Sequence, residues 1–211
     1  KMSKSRGNIL NPLEIIKTYG IDELRYYLMK EVSHGSDGAI SLKNLENCIN
    51  SDLANNFGNL CQRVFSFVKN NCEYKISKTK NISAADKRLI EETEILTKDL
   101  RNLMNNQNLN NYIKSVINIS FLTNKYINDE EPWRLKKNNI EKMNNILHLA
   151  LEQIAKISIL LNPIIPQATT KVLEALKINA ESRNLSFLEG KKILSSEIRV
   201  SELNILFKKI N

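Results

Sequence analysis

The strongest constraint on the fold is the spacing of apolar residues over residues 41–70. They recur at steps of three and four, which is the period of one face of an α-helix. A second stripe runs beside the first, so the face is broad enough to pack against two partner helices. We therefore predict one long helix that begins at a Ser41 cap and lies in the core of a helical bundle. The stripes are Leu45, Ile49, Leu53, Phe57, Leu60, Val64 and Phe67, and Ala54, Gly58, Cys61, Phe65 and Val68.

The chain after residue 82 repeats this helical pattern. Ser83 and Asp86 fit a capping box, and Pro132 and Pro166 suit first helical turns. Residues 71–82 are predicted to be a polar linker, and residues 179–211 an extension packed back on the bundle. Further helices are predicted over residues 109–127 and 139–161.

Residues 1–40 are predicted to form a small α/β piece with little core of its own. Asn11-Pro12 is typical of a helix start, and Gly20 of its end. Asp22 is predicted to cap a second short helix, and Ala39-Ile40 to form a short strand. The predicted fold is therefore mainly α, with a helical bundle over residues 41–178 between this piece and the C-terminal extension.

Composition narrows the class of protein. A net charge of +8 favours a polyanionic partner, although the abundance of Asn, Ile and Lys can equally reflect the base composition of the source genome. No apolar run is long enough for a bilayer and no secretory signal pattern occurs, so a cytoplasmic protein without membrane contact is expected. The three cysteines form no CxxC pair and the two histidines stand apart, so no zinc or other metal site is expected.

The first residues carry the pattern of a phosphate-binding loop. Lys1, Lys4 and Arg6 alternate with Ser3 and Ser5 ahead of a glycine that favours a mobile backbone. Cations and hydroxyl donors on such a loop suit a polyphosphate whose charge develops during a reaction. The alternative is a basic, solvated tail.

A polar flank runs along the long helix. Asp52, Asn56, Asn59 and Arg63 follow at steps of four, three and four, so we expect all of them to point the same way beside the core. Amide and guanidinium groups one turn apart can reach the edges of unstacked bases. A merely solvated flank is the alternative.

Trp133 is the one tryptophan, in the first turn of a predicted helix at the end of the bundle. It either covers the core or offers a flat face on which a base can stack.

Longer motifs add a resemblance. Lys1 to Ser5 and the following Gly7 to Pro12 resemble the KMSKS loop of class I aminoacyl-tRNA synthetases. Asp52 to Arg63 (D-L-A-N-N-F-G-N-L-C-Q-R) and Thr123 to Ile127 with Pro132-Trp133 resemble two segments of bacterial methionyl-tRNA synthetases. The last motif, L-F-K-K-I over residues 206–210, has Lys-Lys where that family has Pro-Arg.

The resemblance implies roles for individual residues. Asn59, Arg63 and Trp133 would gather around a CAU anticodon, with Asn56 as a further candidate. Lys4 and Lys1 would be catalytic and ATP-binding, since they would stabilise the pyrophosphate leaving group, and Ser3 and Ser5 would also bind ATP. Asp52 is left out because a carboxylate repels phosphate.

The resemblance also implies a function for the whole protein. It would be a methionine–tRNA ligase that uses ATP with Mg²⁺ to make methionyl-adenylate and charge tRNA(Met). The family's nucleotide-binding half precedes the KMSKS loop, so we expect this chain to be a C-terminal part that binds tRNA and is inactive alone. A monomer is expected because nothing resembles an added dimerisation domain.

Two alternatives stay open at this point. The chain could be the matching part of a synthetase for cysteine, leucine, isoleucine or valine, although the N-L-x-x-R and E-P-W motifs together argue against that. It could also be a non-catalytic helical module that binds RNA or protein without anticodon preference.

Overall fold

The computed structural model describes residues 10–32, 40–79 and 81–210, and it confirms the mainly α fold. Two helices, α1 (Pro12–Tyr19) and α2 (Ile21–Glu31), precede a long helical stretch. That stretch comprises α3 (Leu42–Cys48), a π-helical segment (Ile49–Gly58) and α4 (Asn59–Cys72). The later helices are α5 (Ala84–Thr97), α6 (Leu100–Asn105), α7 (Leu109–Glu130), α8 (Pro132–Leu135), α9 (Ile140–Leu161) and α10 (Pro166–Ala175).

The predicted helix starts are confirmed by their caps. Ser83 Oγ accepts from the Asp86 amide while Asp86 accepts from the Ser83 amide, which completes a capping box. Asn11 caps α1 with Pro12 at its first position, and Ser41 caps α3. These caps are local, so the sequence alone was sufficient to locate them.

Helix α9 forms the centre of the bundle. It is buried along almost its whole length and packs against α4, α7, α8 and α10. The buried apolar residues form one cluster that extends from Ile15 in α1 to Phe207 near the C-terminus. The division of the chain at residues 40 and 178 stays a prediction.

The predicted polar linker is wrong in part. Within residues 71–82, β1 (Lys75–Ser77) pairs antiparallel with β2 (Glu197–Arg199), and Ile76 lies opposite Ile198. Both isoleucines are buried, at 0% and 7% exposure, between polar neighbours. One apolar residue per strand leaves no period in the sequence, and the pairing joins distant segments, so no local pattern predicts it.

Helical spacing also predicts that Leu13, Phe121 and Ile140 lie on the inner faces of their helices, and this prediction is wrong. Phe121, Ile140 and Leu13 expose 47%, 59% and 74% of their surface. Ile40, expected in a strand with Ala39, has no regular structure, and Ala39 lies outside the described residues.

Asp22 does not cap its own helix, contrary to the prediction. It lies in the first turn of α2, and its Oδ2 accepts from the Ala168 amide of α10 at 2.7 Å. Helix α10 has Ile165 at its N-cap position, which offers no side-chain acceptor. Burial raises the pKa of the Asp22 carboxyl, against the effect of the backbone donors.

Arg25, one turn further along α2, binds the corner between α9 and α10, just before the residues that Asp22 contacts. Its Nε donates to the Ile164 carbonyl at 2.9 Å and its Nη2 to the Pro163 carbonyl at 2.8 Å. We call these two side chains the Asp22–Arg25 clamp. The clamp satisfies two carbonyl groups in the connection between α9 and α10 and one amide in the first turn of α10. These groups lie at helix ends, where the helices leave backbone groups without intrahelical partners.

The π-helical segment holds the C-terminal residues. Asn50 donates to the Ile210 carbonyl and accepts from the Ile210 amide, both at 2.8 Å. Phe207 packs on Gly58, where an added Cβ would lie 3.3 Å from Phe207 Cδ2 and 2.8 Å from the Leu53 carbonyl oxygen. The residue at position 58 therefore has no room for a side chain.

Gly58→Ala is expected to lower the free energy of unfolding by about 1–3 kcal/mol, because the new methyl group overpacks this contact. The result would oppose helix propensity, which favours alanine by about 1 kcal/mol. Urea denaturation followed by circular dichroism measures the change. Asn55→Ala, at an exposed position of the same segment, is the control. A Gly58→Ala protein as stable as the parent would contradict the close contact.

Candidate nucleic-acid interface

Arg63 and Trp133 meet at one end of the bundle. The Arg63 guanidinium carbon lies 5.7 Å from the centroid of the Trp133 ring, within the range of a cation–π contact. Arg63 Nη2 also donates to Asn128 Oδ1 of α7 at 2.8 Å. The two contacts fix the guanidinium, and the indole remains 42% exposed. The pair therefore presents an ordered planar surface to solvent.

The chain reversal before α8 positions the indole. Glu131 adopts a left-handed backbone with φ of 43°, and Pro132 then occupies the first helical position. Pro132 is buried whereas Trp133 is exposed. Glu131 also pairs with Arg134 at 3.1 Å. The proline thus anchors the turn while the next side chain points outward, in agreement with the predicted helix start.

A cleft of about 340 Å³ lies beside this pair. Its apolar residues come from four helices, and its polar residues lie along α4. Lys136 donates to Asn71 at 3.0 Å and brings a further positive charge to this end. An apolar recess bordered by an indole, a guanidinium and amides suits an unstacked base. The lining residues are Arg63, Val64, Ser66, Phe67, Asn70, Asn71, Ile127, Pro132, Trp133 and Leu147.

Asn59 is exposed and begins α4, one turn before Arg63. It does not line the cleft but lies on the approach to it along the same helix. Its amide can both donate and accept a hydrogen bond.

Asn56 lies in the core, not on this surface. It is 2% exposed, and its Oδ1 accepts from Ser120 Oγ at 2.9 Å and from Asn124 Nδ2 at 3.0 Å. Its own amide donates toward the Ile117 carbonyl at 3.5 Å. In this position Asn56 joins the long helix to α7 and cannot reach a ligand.

The expectation that the four flank residues share one direction is wrong. Asp52 and Asn56 are buried whereas Asn59 is exposed. The expectation assumed a regular α-helix, but residues 49–58 are π-helical, with i→i+5 bonding and more residues per turn. Side chains before and after Gly58 therefore do not keep α-helical spacing.

Asp52 is part of a buried ionic cluster. Its Oδ2 lies 2.9 Å from Lys30 Nζ and accepts from the Tyr26 hydroxyl at 2.8 Å. Burial opposes the charge on Lys30, but the hydrogen bond to Asp52 contributes to a raised pKa overall. Burial also raises the pKa of the nearby Cys48 thiol to about 12, so this cysteine is an unreactive thiol.

Sequence patterns missed two residues near the site. Asn124 and Asn128 lie one turn apart on α7 and bind Asn56 and Arg63 respectively. Their i, i+4 spacing is a signal that could have indicated a polar stripe facing the long helix.

The loop residues Lys1, Ser3, Lys4 and Ser5 lie outside the described residues. Over residues 10–32, 40–79 and 81–210, no group of three or more His, Cys, Asp or Glu side chains could hold a metal ion. None of the helices in the same ranges combines the length and apolar character needed to cross a bilayer.

Two family models match the chain. One is described as tRNA synthetases class I (M) and matches residues 1–65. The other, the anticodon binding domain of methionyl tRNA ligase, matches residues 76–211. The second match includes α7 and α8, and therefore Asn128 and Trp133.

Two relatives and one solved structure illustrate the likeness to known proteins. A methionine–tRNA ligase of Brucella suis is 36% identical over 88% of this chain and 36% of its own length. A methionine–tRNA ligase of Rickettsia typhi is 36% identical over 100% of this chain and 42% of its own length. The crystal structure of Mycobacterium tuberculosis methionyl-tRNA synthetase bound by methionyl-adenylate superposes with a TM-score of 0.91 at 27% identity, over 99% of this chain and 42% of that one.

The chain thus spans about two fifths of the length of these relatives. The class I (M) model covers the motif in Asp52 to Arg63, and the anticodon-domain model, which covers most of the chain, includes Thr123 to Trp133. The fold of the whole bundle agrees with both matches. The chain therefore belongs to the methionyl-tRNA synthetase family.

Proposed function

We propose that this chain is the tRNA-recognition part of a methionine–tRNA ligase, and that its bundle reads the CAU anticodon of tRNA(Met). The observation that carries the proposal is the Arg63–Trp133 pair beside the cleft of about 340 Å³. The whole protein attaches methionine to tRNA in an ATP-dependent reaction through methionyl-adenylate.

Three residues, Trp133, Arg63 and Asn59, each make a different contact in the proposed anticodon recognition. Trp133 stacks on an unpaired base, which contributes about 1–3 kcal/mol. Arg63 uses one nitrogen for Asn128, and its other donors remain available for the edge of a base or a phosphate. Asn59 offers a donor and an acceptor from the exposed start of α4. Asn56 is not included because its amide is buried and engaged.

A general RNA-binding module is the competing proposal. It would hold phosphates through scattered lysines and need no stacking surface. The exposed indole, fixed by a guanidinium, favours a reader of unstacked bases. Preference for CAU over other anticodons separates the two, and it also separates this family from other class I synthetases.

Trp133→Ala is expected to weaken binding of a CAU anticodon stem-loop about tenfold or more, because a stacked base is lost. Fluorescence anisotropy at fixed salt measures the affinity for this loop and for a loop with one changed anticodon base. The parent chain should prefer CAU, and the variant should lose most of that preference.

Phe121→Ala is the matched control for this loss. Phe121 is also an exposed aromatic residue, at 47%, but lies on α7 outside the cleft. Its removal should leave both affinities unchanged. Equal binding of both loops by the parent chain would overturn the proposed anticodon recognition.

Arg63→Lys tests whether a planar donor group is required. Lysine keeps the charge but loses the stacking on Trp133 and the paired donors, so CAU binding should weaken about tenfold. The slope of affinity against salt should stay the same, since the number of positive charges is unchanged. Arg134→Lys, on the adjacent α8, is the control and should bind as the parent does. An unchanged affinity in Arg63→Lys would show that only charge matters.

The N-terminal loop is proposed to act in adenylation by the full-length protein. Lys4 and Lys1 would stabilise the departing pyrophosphate, with Ser3 and Ser5 as further ATP contacts. Methionine binding and the rest of the ATP–Mg²⁺ site are proposed to lie in the part of the full-length relatives that this chain does not span. The protein is proposed to be a cytoplasmic monomer.

In the full-length protein, Lys4→Gln should lower kcat for ATP–pyrophosphate exchange about 100-fold with a smaller change in KM. A contact that forms mainly in the transition state raises the rate rather than the affinity for ATP. Lys17→Gln, at an exposed position of α1, should leave both constants unchanged. A Lys4→Gln enzyme with the parent kcat would remove Lys4 from the mechanism.

A further inference from the structure

A second, larger cavity lies on another side of the bundle. We call it the α5–α9 cleft, since those helices form two walls and residues 187–192 form the third. Its volume is about 820 Å³, which is in the range of small-molecule sites. It shares no lining residue with the cleft beside Trp133. The proposed anticodon recognition therefore does not use it.

The inner wall carries a buried amide without a partner. Gln153 of α9 is 0% exposed, and neither its Nε2 nor its Oε1 has a hydrogen-bond partner among the described residues. Such an amide costs about 1–3 kcal/mol when it is left unpaired. It can be satisfied by a group that presents an acceptor and a donor side by side.

The neighbouring Glu152 is fully engaged. Its two carboxylate oxygens accept from the Ile193 and Leu194 amides, each at 2.9 Å. His148 donates from Nε2 to the Ser195 carbonyl at 2.7 Å, and its Nδ1 has no partner within the described chain. Glu152 and His148 Nε2 therefore hold residues 193–195, which follow the third wall, whereas Gln153 and His148 Nδ1 are left to meet a ligand.

The cleft holds more positive than negative charge. Six lysine and arginine residues line it, against three glutamates. Arg101 pairs with Glu189 at 3.2 Å, but no ion pair joins the five lysines to another described residue. The cations are Lys78, Lys98, Arg101, Lys156, Lys191 and Lys192, and the acids are Glu91, Glu94 and Glu152.

Lys78 and Lys192 also interact unfavourably with one another. Burial and the nearby Lys192 lower the pKa of Lys78, and burial lowers the pKa of Lys156. Burial, Lys78 and Lys192 lower the pKa of His148. A bound anion would relieve this repulsion.

Apolar side chains from all three walls also line the cleft. Ile90 and Ile95 come from α5, Leu149 from α9, and Phe187 and Leu188 from a short 3₁₀ helix, Leu185–Glu189. A ligand that fits all three features has a flat apolar ring, an edge with adjacent donor and acceptor, and a negative group.

We propose that the α5–α9 cleft binds a nucleotide, with its base edge on the Gln153 amide, its ring against the apolar side chains and its phosphate at the lysines. Adenine N6 and N7 match a glutamine amide in this way. The nucleotide is either free in solution or part of an RNA strand. The proposal does not depend on the anticodon recognition proposed for Trp133.

The first test is isothermal titration of the chain with AMP. AMP should bind saturably at one site, and adenosine and inorganic phosphate should each bind at least about tenfold more weakly, because each lacks part of the required chemistry. Absence of saturable AMP binding at millimolar concentration would overturn the proposal.

Two variants assign the binding to this cleft. Gln153→Met should weaken AMP binding about tenfold and keep the melting temperature, since it removes an unpaired buried amide. Lys192→Ala, at an exposed position, should weaken AMP but not adenosine. Gln167→Met and Lys171→Ala, both exposed on α10, are the controls. Parent-like AMP binding in both cleft variants would also overturn the proposal.

A final comparison identifies the source of the nucleotide. The same variants are titrated with the anticodon stem-loop and with full-length tRNA. If Gln153→Met weakens RNA binding as much as AMP binding, the cleft takes a nucleotide of the RNA. If only AMP binding falls, the cleft takes a free nucleotide.

Discussion

The arrangement of the helices depends on the interactions of one buried carboxylate, that of Asp52. It lies in the π-helical segment and binds both Lys30 and Tyr26 of α2. A buried charge that loses its partner destabilises a protein by about 3–5 kcal/mol, so these three side chains must stay together. The cluster thereby fixes residues 10–32 against the long helix, and α4, with Arg63, continues from that fixed point.

The π-helical segment then decides which polar side chains reach the surface. It turns Asn56 inward, where Ser120 and Asn124 engage it, and leaves Asn59 outward at the start of α4. It also contacts the C-terminal residues, since Asn50 bonds to Ile210 and Gly58 packs against Phe207. One irregular stretch therefore sets the orientation of the proposed interface and closes the other side of the bundle.

Features that depend on neighbouring residues could be predicted from the sequence. The caps at Ser41 and Ser83 and the proline at the start of α8 follow from local rules, whereas those rules left open whether Trp133 covers the core or faces solvent. Features that depend on distant partners could not. The strand pairing of Ile76 with Ile198 and the burial of Asn56 need segments far apart in the chain. The unpaired amide of Gln153 was equally invisible, since its apolar neighbours predict only a buried helix.

The Asp22–Arg25 clamp has a consequence for how the chain can be divided. The corner between α9 and α10 receives one acceptor and two donor contacts from α2, about 140 positions earlier in the sequence. A protein cut to begin at residue 41 would leave the Ala168 amide and the Pro163 and Ile164 carbonyls without these partners. A piece cut at residue 41 is therefore expected to be less stable than the whole chain, because the helices before the bundle share hydrogen bonds with it.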